Sequence, residues 1–143
     1  MRRLCHFELP VIALAACLAM AVCEANVVTV VSTKSPITAL SKAQVADIFL
    51  GRSNSFPDGA QATPIDQPET SSLREEFYDK VTGKSLAQLK AYWSKIIFTG
   101  RGRPPKTASN STEVKKLLST NLLAIGYIED TQVDSSVRVL REK

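Results

Sequence analysis

The chain has 143 residues, a formal net charge of +4 and 44% hydrophobic residues, enough for one domain with a real core but not for two lobes. Its only cysteines (Cys5, Cys17, Cys23) and its only histidine (His6) all lie in the first 25 residues. The remainder has no thiol nucleophile, disulfide, histidine base or soft metal site, which excludes Ser–His–Asp and Cys–His catalysis within one chain.

Residues 1–25 read as a signal peptide. Arg2 and Arg3 give a basic start, Val11 to Val22 is an apolar run too short for a membrane span, and Cys23-Glu24-Ala25 places small residues before a cut at Asn26. A competing reading is a lipoprotein signal, Leu14-Ala15-Ala16-Cys17, with lipid on Cys17. Either implies export, with a periplasmic location for residues 26–143. This leader holds two cations and two carboxylates, so the remainder keeps the charge of +4. Export and the lack of a basic stripe interleaved with aromatics argue against a nucleic-acid partner.

Asn26 to Ser32 (NVVTVVS) is β-branched and short, which predicts a buried strand, broken by Thr33-Lys34-Ser35-Pro36. Ser41 to Leu50 predicts a helix, with a Ser41/Gln44 capping box, Val45, Ile48 and Phe49 inward, and Gly51 to end it. Phe56-Pro57-Asp58-Gly59 signals a turn. Ala62 to Asp66 is a short strand candidate. Leu73, Phe77 and Val81 recur every four residues and predict an amphipathic helix ended by Gly83. Ser85 and Gln88 form a second capping box, opening a helix expected to bury Leu86, Leu89, Trp93, Ile96 and Ile97. Thr99 to Pro105 is loop. Asn110 to Thr112 start a helix with Val114, Leu117 and Leu118 inward. Leu122 to Ile128 reads as a strand with Gly126 at a close backbone approach, and Val137 to Leu140 as a last strand. Strands alternating with helices predict an α/β sandwich around a small sheet, mixed or mostly parallel.

One stretch carries candidate chemistry: Asp66 to Phe77, DQPETSSLREEF. A helix start offers unpaired N–H groups and partial positive charge. Thr70, Ser71 and Ser72 add hydroxyls, and Arg74 adds a guanidinium fork, so the four compose a cradle for a small anion. The same residues also read as a plain helix start, because any of the three hydroxyls can cap and Ser72 with Glu75 fits a capping box. No acidic spacing stands out as a catalytic pair, and no cofactor or metal site is expected, so the chain reads as a binding protein rather than an enzyme. Elsewhere, Arg101, Arg103 and Lys106 form a basic loop suited to an acidic partner or lipid headgroups. Tyr92-Trp93 is a stacking pair or core, and Thr33-Lys34-Ser35 either lines the same edge as Ser71 or is a turn.

LSKAQVADIFLGRSNSFPDG (40–59), PIDQPETSSLREEFY (64–78), YWSKIIFTGRGRPP (92–105) and AIGYIED (124–130), in that order, resemble the periplasmic phosphate-binding proteins of ABC transporters, in particular short single-lobe members. The resemblance covers about residues 27 to 140. It implies a single lobe of a periplasmic-binding-protein-like α/β fold, a small mixed sheet flanked by helices, over 26–143. In that family an arginine and a Ser-Gly-Thr motif at a helix start touch phosphate. Counted back from Phe77, the serine falls on Ser71, the glycine on Ser72, the threonine on Leu73 and the arginine on Gln67, so the serine alone matches. The resemblance implies phosphate or a related oxyanion as ligand and a membrane transporter or envelope protein as partner; a lone lobe leaves the anion open to water, so tight binding needs a second copy or a different partner to complete the cleft. The alternative is an interaction module that docks on an envelope protein and needs no small ligand.

Overall fold

The computed structural model describes residues 26–143. The signal-peptide and lipidation readings lie outside the described residues. In chain order the elements are β1 (Val27–Ser32), β2 (Ala39–Leu40), α1 (Lys42–Phe49), β3 (Thr63–Asp66), α2 (Ser72–Thr82), α3 (Leu86–Phe98), β4 (Lys106–Thr107), α4 (Ser111–Thr120), β5 (Ala124–Glu129), a 3-10 turn at Asp130–Gln132, β6 (Val137–Val139) and β7 (Arg141–Glu142). Five strands form a sheet in the order β4-β3-β5-β1-β6, and β2 pairs separately with β7. β3 runs parallel to β4 and β5, while β1 is antiparallel to β5 and β6. The sheet is mixed, flanked by helices, as expected.

The period of two in the strands sorts side chains to two cores. Val27 and Val31 of β1 and Ile125 and Tyr127 of β5 join the core that also holds residues of α1, α2 and α3. Val30, Ala124 and Ile128 point the other way and meet Val114 and Leu118 of α4. Gly126 lies on the α4 side because the helix comes so close there. A Cβ at Gly126 would stand 2.7 Å from Val114 Cγ1. The larger core centres on four rings. Phe77 stacks on Tyr127 at 3.9 Å between centroids, and Phe49 meets Phe77, Tyr78 and Tyr127 edge-on. Such pairs add about 0.5–1.5 kcal/mol each beyond their burial.

The local signals of the sequence translate directly. Two of the three expected capping boxes form, at Ser41/Gln44 and Ser85/Gln88. Gly83 caps α2 at φ 69°, and Gly51, just past α1, has φ 70°. Three expectations need correction. Leu89 and Trp93 are buried on α3, but Ile97 is 56% exposed, since α3 outruns the core it packs on. The strand expected from Leu122 starts at Ala124, because Asn121 forms a turn, accepting from Leu123 N through its side chain and from Ala124 N through its backbone. The third concerns α2. Its N-cap is Ser71, in extended conformation (φ −78°, ψ 127°), and no side chain caps it. With Ser71 as N-cap, the third helical residue is Arg74, which has no acceptor to return to the cap, so the Ser72/Glu75 capping box does not form.

Candidate functional site

β3 ends in Asp66, whose side chain is buried beneath the start of α2. One carboxyl oxygen accepts from Gln67 N at 2.8 Å and from the Tyr127 hydroxyl. The other accepts from the Tyr78 hydroxyl at 3.0 Å and from Arg74 Nε at 3.2 Å. The guanidinium of Arg74 also lies over the Tyr78 ring, 5.3 Å from its centroid. Burial pushes both phenols well above their ordinary range, and the charge and hydrogen bond of Asp66 push them further. Both hydroxyls are therefore fixed donors. Gln67 is buried too, donating from Nε2 to Ser111 Oγ and to the Tyr127 carbonyl, both at 3.2 Å. This cluster fastens β3 to α2, to β5 and to the first residue of α4.

Above it, two helix N-termini meet. Gln67, Thr70 and Ser71 on one side and Asn110 and Thr112 on the other line an open concavity of about 430 Å³, which Glu129 also lines. The α4 end is already capped: Asn110 Oδ1 accepts from Glu113 N at 2.9 Å. Glu113 in turn accepts from the backbone and hydroxyl of Ser109, and these bonds hold its carboxyl below the usual carboxylate range. The α2 end has no side-chain cap. A second concavity of about 480 Å³ lies beside it, lined by Asp66, Gln67, Arg74, Trp93, Ile97 and Thr107 among others.

Of the four cradle residues expected from sequence, the structure brings Thr70 and Ser71 together in the first concavity. Arg74 lies on the wall of the second, paired with Asp66. Ser72 is exposed at the first helical position and lines neither. Thr33-Lys34-Ser35 sits at the opposite end of the sheet from Ser71. The cause is that β1 runs antiparallel to β5, pairing Val31 with Ile125 and Val27 with Glu129. Trp93 belongs to the core, and Tyr92 donates its hydroxyl to the Leu50 carbonyl at 2.6 Å. Sequence reasoning missed Asp66 and Gln67 as a buried polar pair; a carboxylate closing the short apolar strand PID was the available signal. It also missed that Asn110 and Thr112 would face Ser71 across the concavity. Among the described residues no group of three His, Cys, Asp or Glu side chains suits a metal ion.

In overall structure the chain is similar to a protein from Clostridium perfringens described as a phosphate ABC transporter substrate-binding protein with bound phosphate (TM-score 0.64, 21% identity, 80% of this chain and 43% of that one). It is similar also to an ABC-type phosphate transport receptor from Vibrio cholerae (TM-score 0.63, 18% identity, 80% and 44%) and to PstS from Borrelia burgdorferi (TM-score 0.60, 16% identity, 82% and 47%). The fold is that of one lobe of a phosphate-binding protein. The chain spans less than half the length of each of these structures. No protein-family model matches it, and no curated protein matches it in sequence. In this lobe the position expected for the phosphate-contacting arginine is Gln67, whose Nε2 donates to Ser111 and Tyr127.

Proposed function

We propose that the chain is a solute-binding lobe that takes phosphate or a related oxyanion in the concavity between the N-termini of α2 and α4. The observation that carries this reading is the uncapped start of α2, with Thr70 and Ser71 on the wall of a concavity that a second helix start also lines. In this reading backbone N–H at the start of α2, where Leu73 lines the concavity, does most of the holding, and the hydroxyls of Thr70 and Ser71 add donors. Arg74 contributes through Asp66, by fixing where α2 begins, and reaches a larger ligand only from the side of the second concavity. The reaction class is binding, not catalysis.

Magnitudes set the expected affinity. A helix terminus contributes roughly 0.3–2 kcal/mol toward an anion, and each charge-assisted hydrogen bond about 1.5–3 kcal/mol before desolvation. Glu129 on the lining opposes a dianion. A net of about −4 kcal/mol corresponds to ~1 mM, so tighter binding needs a second surface over the open side. A second copy of the chain or a membrane transporter component supplies it in this reading, which takes residues 1–25 as an export signal and the encounter as periplasmic. Titration calorimetry with phosphate, sulfate and small carboxylates tests the proposal. The expected result is millimolar binding of the tetrahedral anions, weakened several-fold by Ser71→Ala. Absence of heat with every anion up to several millimolar overturns it.

A further inference from the structure

The charge of this chain is unevenly distributed. Between Asp79 and Glu113 there are seven lysine and arginine side chains and no carboxylate, in a chain whose net charge is only +4. This segment contains α3 and the loop that follows it. At the end of α3 the burial pattern fails: Phe98 is 93% exposed and Ile97 56%, the two most exposed large hydrophobic side chains among the described residues. Lys95, one turn before Phe98, is exposed, as are Arg101 and Arg103 just after it. Gly100 turns the chain at φ 67°, so the arginines follow the aromatic tip directly. Along the line of α3 that leads to Phe98 the exposed residues are small, Ala87, Ala91 and Ser94. The one exposed carboxylate on the neighbouring concavity is Glu69.

We infer that the end of α3 and the following loop dock on an anionic lipid surface, with the Phe98 ring set at the headgroup–acyl boundary and Lys95, Arg101 and Arg103 against the lipid phosphates. An apolar wedge ringed by cations matches both layers of such a surface: the ring leaves water while the charges stay at the phosphates. A rigid protein partner would have to carry a cavity shaped for one protruding ring; a bilayer opens around it. Neither signal anchors a protein alone, so the contact is reversible and salt-dependent.

Residues 1–25 carry an apolar run of their own, so total binding to lipid does not isolate this tip, and the readout has to be local. The full chain carrying Phe98→Trp is mixed with vesicles of phosphatidylcholine alone, or with added phosphatidylglycerol, some with brominated acyl chains. Trp93, the single natural tryptophan, is buried and provides the constant background. The expected result is blue-shifted, bromine-quenched emission on phosphatidylglycerol vesicles. It is weakened by salt and weakened on the order of thirtyfold by the further changes Arg101→Ser and Arg103→Ser, taking two cations near the surface at the usual strength. All three substituted residues are exposed, so an unchanged urea midpoint confirms that the fold is kept. Absence of quenching overturns the proposal, even if the chain still sediments with lipid. Equal quenching on phosphatidylcholine alone, or indifference to the arginine changes, overturns it as well.

Discussion

Asp66 and Ser71 lie five residues apart and face opposite fates. Asp66 is sealed beneath α2 with donors on both carboxyl oxygens. Ser71 stands at the rim of an open concavity with no cap bond to make. The contrast teaches that a polar residue type does not declare its task. Where every lone pair is matched by a protein donor, the group positions structure; where donors remain unmatched at a helix start, it is available to a ligand. Arg74 shows the boundary between them, since it belongs to the cradle by composition and to the buried cluster by geometry.

Asp66→Ala is the hardest test of that contrast. It leaves Arg74 without its carboxylate and two buried hydroxyls without an acceptor, so a loss of about 3–5 kcal/mol is expected in urea unfolding. A loss below 1 kcal/mol would mean the cluster does not hold β3 to α2. Alkaline pH attacks the same cluster from the donor side. Tyr78 and Tyr127 have folded pKa values raised by burial and by Asp66, so the unfolded chain loses these protons first as pH rises. Their contribution is complete below about pH 10 and falls above it by about 1.4 kcal/mol per pH unit for each tyrosine. Unfolding midpoints measured from pH 8 to 11 should be flat and then drop, and the drop should halve in Tyr78→Phe.

Arg74→Met comes next, with an expected loss of about 1.5–3 kcal/mol from the bond to the Asp66 carboxyl. Its effect on anion affinity should be secondary. An affinity loss without any loss of stability would move Arg74 back into the cradle. The smallest effect is also the most discriminating. Ser41→Ala removes a cap bond and should cost about 1 kcal/mol, whereas Ser71→Ala removes none and should stay within about 0.5 kcal/mol. In calorimetry the order reverses: Ser71→Ala weakens phosphate binding several-fold and Ser41→Ala leaves it unchanged.

Much of the fold was legible in the sequence because its signals act within one or two turns. The capping boxes at Ser41/Gln44 and Ser85/Gln88 span three residues, the inward face of α2 recurs every four, and Gly83 ends its own helix. Even the close approach at Gly126 was readable, since a glycine inside an apolar strand has few other uses. The helix start after Asp66 was equally plain, but not which of Thr70, Ser71 and Ser72 would cap it, because each is a competent cap. That choice is made by Asp66, Tyr78 and Arg74 locking the register of α2. Tyr127, 61 residues from Asp66 in sequence, completes the lock. The sequence by itself thus determined the elements, the two-faced strands and a polar helix start. Only the tertiary structure decided which polar groups at that start are consumed in the core and which are left for a ligand. Hydrogen-bond partners so far apart in sequence meet only when the sheet has assembled, and no local pattern encodes their pairing.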